Sequence, residues 1–219
     1  MILNKKKINQ LSRVSRINLM NSITGVKPAI LIGTKNVEGN TNLAIFSSIV
    51  HISSNPALFG FFTRKTKNHR RDTYENIINT NTYTFNHIHK EITSNAHYTS
   101  LKFKKNISEF NSCSFTEEYF EKFYAPFVKE SNVKIGLKLT EIIELKSSSS
   151  ELVIGEVECI ITQDSFLEDN ILNPQISKSM SVVGLNHYFN VSKEISIPYV
   201  RSKDISSIEE ISRTHKKIK

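Results

Sequence analysis

Residues 41–56, TNLAIFSSIVHISSNP, set the small side chains Ala44, Ser47 and Ser48 into an otherwise bulky, strand-forming stretch. Small residues there let a flat aromatic ligand approach the backbone amides closely. The plainer alternative is an ordinary strand with its polar residues turned outward. Shortly downstream comes a group suited to an anion: Arg64, Lys65 and Lys67, then Arg70 and Arg71, immediately before a helix expected to open near Thr73. A helix N-terminus offers unpaired amides and a partial positive charge, the Thr73 hydroxyl adds a donor, and Arg64 can grip a phosphate in bidentate fashion. A basic surface loop that binds nothing is the competing reading of the same run.

These segments need a frame, and the surrounding pattern describes one. The apolar, β-rich run Ala29–Thr34 followed by turn residues in 35–40 (KNVEGN) predicts a hairpin. A second extended stretch over 42–54 passes a corner at Asn55 and Pro56 into a strand at 58–63, where Phe59, Phe61 and Phe62 suit a buried position. Tyr74, Ile77 and Ile78 fall at helical spacing, with Asp72 and Glu75 supplying a capping pair. Thr82–His87 reads as a strand and 91–102 as a second short helix, whereas 106–131 reads as helix and loop packed on the sheet. Residues 134–145 and 151–162 form a hairpin across a serine-rich loop, and residues 188–200 are extended. Asp204 caps a last helix over 204–215. Six or more strands in mixed order, with helices outside them, predict a mainly β protein with peripheral helices, a closed antiparallel barrel rather than a doubly wound parallel sheet. The chain reads as one domain over 1–219, with an N-terminal extension over 1–20 and a C-terminal helix and basic tail over 204–219.

Taken together, these pieces resemble the flavin-reductase-like family of FMN-binding split β-barrels in order and spacing. The early hairpin (AILIGTKNVEGNTN), the strand 42–48, the Asn55–Pro56 corner and the helix start DTYENI carry the resemblance. Phe85 with Asn86, and the late strand IGEV over 154–157, extend it across roughly residues 23–200. The resemblance implies that Asn42, Ala44, Ser47 and Ser48 meet the isoalloxazine of FMN and that Arg64 and Thr73 hold its phosphate. It brings His97, Ser100 and Lys102 near the ring, with Lys102 stabilising charge at the pyrimidine end, and Tyr188 beside them. Ordinary structural roles compete at these positions: a surface lysine at 102, a hydrogen-bonded histidine at 97 and a core aromatic at 188. The implied activity is flavin reduction with NADH or NADPH, the electrons passing to free flavin, a partner oxygenase or another acceptor, in a homodimer. The alternative is a non-catalytic FMN-binding protein or electron carrier. One departure stands out, because many relatives that use a nicotinamide donor carry Gly-Asp-His where this chain has Ser148, Ser149 and Ser150.

Composition narrows the field. Over 219 residues, a 38% hydrophobic content supplies a core, and only 7 Gly and 5 Pro argue against a low-complexity chain. No run approaches the roughly 18 apolar residues of a membrane helix, and no apolar signal core follows Lys5 to Lys7. Two cysteines, Cys113 and Cys159, without ligand spacing point to a reducing cytoplasm. The net charge of +8 sits partly at the ends, in Lys5 to Lys7 and Lys216, Lys217 and Lys219, where it serves solubility. No nucleic-acid module accompanies it. His87, His89 and His97 are near one another, but no cysteine or carboxylate spacing completes a metal site, and no serine stands in a nucleophile elbow.

Overall fold

A computed structural model of the chain describes residues 1–64, 71–104, 107–192 and 195. The basic residues Lys65, Lys67 and Arg70, the helix expected over 204–215 and the basic tail lie outside the described residues. Seven strands form the main sheet: β1 (Ile30–Lys35), β2 (Thr41–Phe46), β3 (Ile49–Ser54), β4 (Ala57–Arg64), β5 (Thr82–His87), β6 (Lys134–Glu144) and β7 (Ser150–Ile161). Their order is β2-β1-β5-β6-β7-β4-β3, with every neighbouring pair antiparallel.

The two edge strands of that sheet are consecutive in the chain, so the sheet must curl until β2 and β3 meet. They meet at Ser47 and Ser48, where the extended stretch expected over 42–54 breaks into two strands. The Ser48 hydroxyl donates to the Phe62 carbonyl at 2.8 Å and the Phe62 amide donates to the Ser48 carbonyl at 3.3 Å, which fastens the corner to β4. No ladder joins β2 to β3 among the described residues. The barrel is therefore split on this side, and β2 keeps an open edge.

Two clusters fill the interior because β1 alternates its side chains between faces with a period of two. Ile30 and Ile32 join Phe61, Tyr83 and Phe85 inside the barrel, where the aromatic rings meet edge to face at 5.5–6.0 Å. Leu31 points the other way, toward Leu43, Ile88, Phe110 and Val128. Gly155 on β7 is set by this packing, since a Cβ there would lie 2.3 Å from the Tyr83 hydroxyl.

Helices flank the barrel: α1 (Lys5–Gln10), α2 (Arg13–Ser22), α3 (Asp72–Thr80), α4 (Thr93–Tyr98) and α5 (Glu109–Ser112). α3 starts with Arg71 as its cap residue, which makes no side-chain cap bond, so Asp72 is the first helical residue and not the cap. It stops at Asn81, whose left-handed backbone (φ 58°) turns the chain into β5. The helix expected over 91–102 is shorter than its pattern, a 3-10 turn at Lys90–Ile92 followed by α4, because Thr99 to Leu101 close on the carbonyls of Ala96, His97 and Tyr98. Lys27–Pro28, Met180–Val183 and His187–Asn190 build a separate three-stranded sheet, so the described part of the stretch expected over 188–200 is paired only at its start. Among the described residues no helix is long and apolar enough to cross a membrane.

Candidate functional site

The open edge of β2 faces α3 on one side and the segment after α4 on the other, and between them lies a cleft of about 510 Å³. That is within the usual range of small-molecule sites, about 300 to 1,000 Å³. One wall is β2, through Asn42, Ala44, Ile45 and Phe46, with Thr63 of β4 beside it. Another is the start of α3, through Arg71, Asp72 and Thr73. The third is the turn after α4, where Ser100, Lys102 and Phe103 stand, with Glu109 of α5 below.

A buried polar network ties the first two walls together. Asn42 donates from Nδ2 to the Thr73 hydroxyl at 3.0 Å and lies 3.4 Å from the Thr34 hydroxyl, which also accepts from Asn76 of α3 at 3.1 Å. All four side chains are buried. Because Thr73 Oγ1 accepts from Asn42, its own hydrogen is directed away from that bond. The amides of Thr73 and Tyr74 belong to the first turn and have no carbonyl one turn back within the helix. Exposed Arg71 adds a cation at the same end, while Asp72 adds a carboxylate.

On β2 the Leu43 amide donates to Glu109 Oε2 at 3.0 Å, which shows that it points away from β1. Strand alternation then turns the amide of Ile45 to the same open edge, while Ala44 pairs with Ile32 of β1. The cleft thus meets the Ile45 amide along one side and a helix start at its end.

Of the residues expected from sequence, Asn42, Ala44, Thr73, Ser100 and Lys102 line this cleft. The other five lie off its walls. Ser47 and Ser48 form the barrel corner, and Arg64 is exposed at the end of β4, opposite Ser150. His97 Nδ1 and the Tyr188 hydroxyl share a hydrogen bond of 3.0 Å, their rings edge-on at 5.8 Å. Tyr188 packs on the outer core cluster, and burial pushes its hydroxyl up. The turn of Ser148 to Ser150 adjoins the site through Glu151, which pairs with cleft-lining Thr63.

Sequence reasoning set Arg71 in the anion-suited run but gave the phosphate to Arg64, and it passed over Ile45, Phe46, Phe103 and Glu109. A cation directly before a helix start was the signal that put Arg71 in that run. Glu109 had none, since its partner Leu43 is 66 residues away. The three histidines diverge: His87 bonds Ser179 at 2.9 Å and is lowered by burial to about 4, and His89 bonds Glu91 at 2.5 Å. No metal-ligating group of three side chains exists among the described residues, where Cys113 and Cys159 are both free thiols.

Comparison with known proteins agrees with the split-barrel fold. Residues 25–175 match the sequence model of the flavin reductase-like domain. A Shewanella frigidimarina NCIMB 400 protein, assigned as a flavin reductase with a split barrel domain, is 39% identical and superimposes with a TM-score of 0.87, covering 91% of this chain and 100% of its own. Nitrilotriacetate monooxygenase component B from Bacillus cereus shares the fold at 20% identity and a TM-score of 0.79, with coverage of 90% and 98%. Flavoredoxin of Desulfovibrio vulgaris (Miyazaki F) does so at 22% and 0.68, with coverage of 80% and 91%.

Proposed function

The chain belongs to the flavin reductase-like domain family, and on that premise we propose that it holds FMN in the cleft beside β2 and reduces flavin with NADH or NADPH. The observation that carries this reading is the Asn42 to Thr73 bond of 3.0 Å, which links the strand edge to the helix start. One ligand with an anion at one end and a flat hydrogen-bonding ring at the other uses both. The donor set fits FMN: Thr73, Arg71 and the first-turn amides of α3 meet the phosphate. Arg71, which lines the cleft, takes the role that the resemblance implied for Arg64. The open edge of β2 around Ala44 and Ile45 meets the ring, and Ser100 with Lys102 closes the opposite side, the lysine opposing negative charge on the reduced ring. Asn42 holds Thr73 in its donating orientation. Bound FMN supplies a two-electron acceptor for hydride and a donor to the next acceptor.

Titration of the purified protein with FMN, followed by flavin fluorescence and visible absorbance, is the direct test. Saturable binding is expected, and no spectral change at any accessible concentration would sink the reading.

The fold shared with a monooxygenase component supports a partner oxygenase or free flavin as the acceptor. Homodimerisation is supported by α2, which has no buried residue and exposes Val14, Ile17 and Met20 at helical spacing. Phe110, Phe115 and Phe127, by contrast, are buried in the protein's own core, leaving Tyr119, Phe120 and Tyr124 as the exposed aromatics of that segment.

The electron-carrier alternative is favoured by one feature, the serine turn. Ser148 to Ser150 offer neither a flat surface for a nicotinamide nor an imidazolium charge. Ser150→His is expected to tighten nucleotide binding or speed reduction of bound FMN in anaerobic stopped-flow, because hydride transfer depends on how the donor is held. A native protein that already binds the nucleotide tightly and reduces fast would show that another residue does this work. Inertness toward both nucleotides with normal reduction by dithionite would favour the carrier.

A further inference from the structure

The cleft contains a carboxyl group that the FMN reading leaves without a task. Glu109 is 8% exposed yet lines the cleft, and its Oε2 takes the amide of Leu43 on the open edge of β2. Leu43 stands between Asn42 and Ala44, so the carboxyl sits at the strand position where the flavin ring would begin. Burial pushes it above the usual carboxylate range, the amides of Leu43 and Glu109 pull it back, and the charge of Asp72 adds a further push upward.

Charged and titratable groups approach Glu109 from several elements. Arg71 and Asp72 come from α3, and Lys102 from the turn after α4. Cys113 is the C-cap of the helix that carries Glu109, its thiol raised by burial and by the charge of Glu109. Glu117 reaches the Thr41 hydroxyl at 2.6 Å, and Ser108, next to Glu109, shares that hydroxyl at 2.7 Å. Arg71 and Lys102 are exposed and hydrated, whereas Glu109 is buried, so added negative charge in the cleft acts most strongly on Glu109. Asp72 lies in the first turn of α3, where the helix N-terminus stabilises a negative charge.

Resting on the FMN reading, we infer that Glu109 is the proton-uptake group of the cleft: its carboxylate takes a proton from water as the bound flavin is reduced. Hydride transfer brings two electrons and one proton to the flavin, oxidises the dihydronicotinamide to the nicotinamide cation and leaves the flavin one unit more negative. The second proton forms an O–H bond on Glu109, and no bond to the flavin is involved. The reduced ring and Glu109 then never carry negative charges facing one another.

The test uses the full chain with FMN, native and Glu109→Gln, since glutamine still offers an acceptor to the Leu43 amide. FMN fluorescence comes first, because failure of the native protein to bind FMN would overturn the functional reading and this assignment with it, whereas the later readouts bear on the assignment alone. With FMN bound, spectroelectrochemical titration is run from about pH 5 to about pH 8, a window above the ordinary carboxylate pKa. The native protein is expected to show a limb where reduction takes up one more proton per two electrons than in the variant. That is a tenfold difference in the equilibrium per pH unit, or about 29.6 mV for a two-electron couple. Equal slopes in both proteins would overturn the assignment. Should the variant fail to fold or to bind FMN, the reduced-minus-oxidised infrared spectrum of the native protein decides. A new protonated-carboxyl band supports the assignment, and its absence ends it.

Discussion

Thr73→Val and Arg71→Ala are each expected to weaken FMN binding by about 10- to 150-fold, the equivalent of a charge-assisted hydrogen bond of about 1.5 to 3 kcal/mol. Riboflavin, which has the same ring and no phosphate, should stay within about threefold of its native affinity in both. The two losses should differ in size. Thr73 is buried, held by Asn42, and loses a directed donor, which places it toward the upper end. Arg71 is exposed, so solvent screens its charge and its loss belongs near tenfold. Isothermal titration with both ligands measures the ratio, and Thr73→Ser, which keeps the hydroxyl, should stay close to native. Equal losses for FMN and riboflavin, in variants whose unfolding midpoints are native, would put the anion end elsewhere in the cleft.

Asn86→Ala is expected to destabilise the fold by about 3 to 5 kcal/mol, a large share of the 5 to 15 kcal/mol that holds a typical domain together. Asn86 is fully buried at the end of β5. It donates to the Leu31 carbonyl at 3.2 Å and the Thr84 hydroxyl at 2.8 Å, and accepts from the Val128 amide at 2.9 Å. Alanine strips a partner from two backbone groups in the core and leaves a cavity, and both effects add. The urea midpoint should fall while the m-value stays constant. An unchanged midpoint would mean that water or a neighbouring group satisfies Leu31 and Val128 without the asparagine. The same residue was part of the family resemblance, and its bonds show a structural reason for an asparagine at this point.

Much of the frame was legible because its signals are local. The hairpin over 29–42, the strand Thr82–His87 and the long pair β6 and β7 follow from side-chain period and turn residues a few positions apart. The break at Ser47 and Ser48 was not legible, since both sides of it are equally strand-like. It is imposed by pairing, because β2 must lie on β1 while β3 must lie on β4 at the opposite edge of the sheet.

By itself, then, the order of residues determined most strands of the main sheet, the corner at Asn55 and Pro56, the helix near Thr73 and the family these pieces resemble, all of which depend on neighbours along the chain. Only the tertiary structure decided which polar groups share a cleft. Asn42 and Thr73 are 31 residues apart, and Leu43 and Glu109 are 66 apart. It set Arg71 rather than Arg64 on the wall, left Ser47, Ser48, His97 and Tyr188 off it, and added a buried carboxyl that no local pattern marks. The physical reason is that a hydrogen bond or a buried charge depends on separation in space, and the curl of the sheet sets those separations independently of distance along the chain.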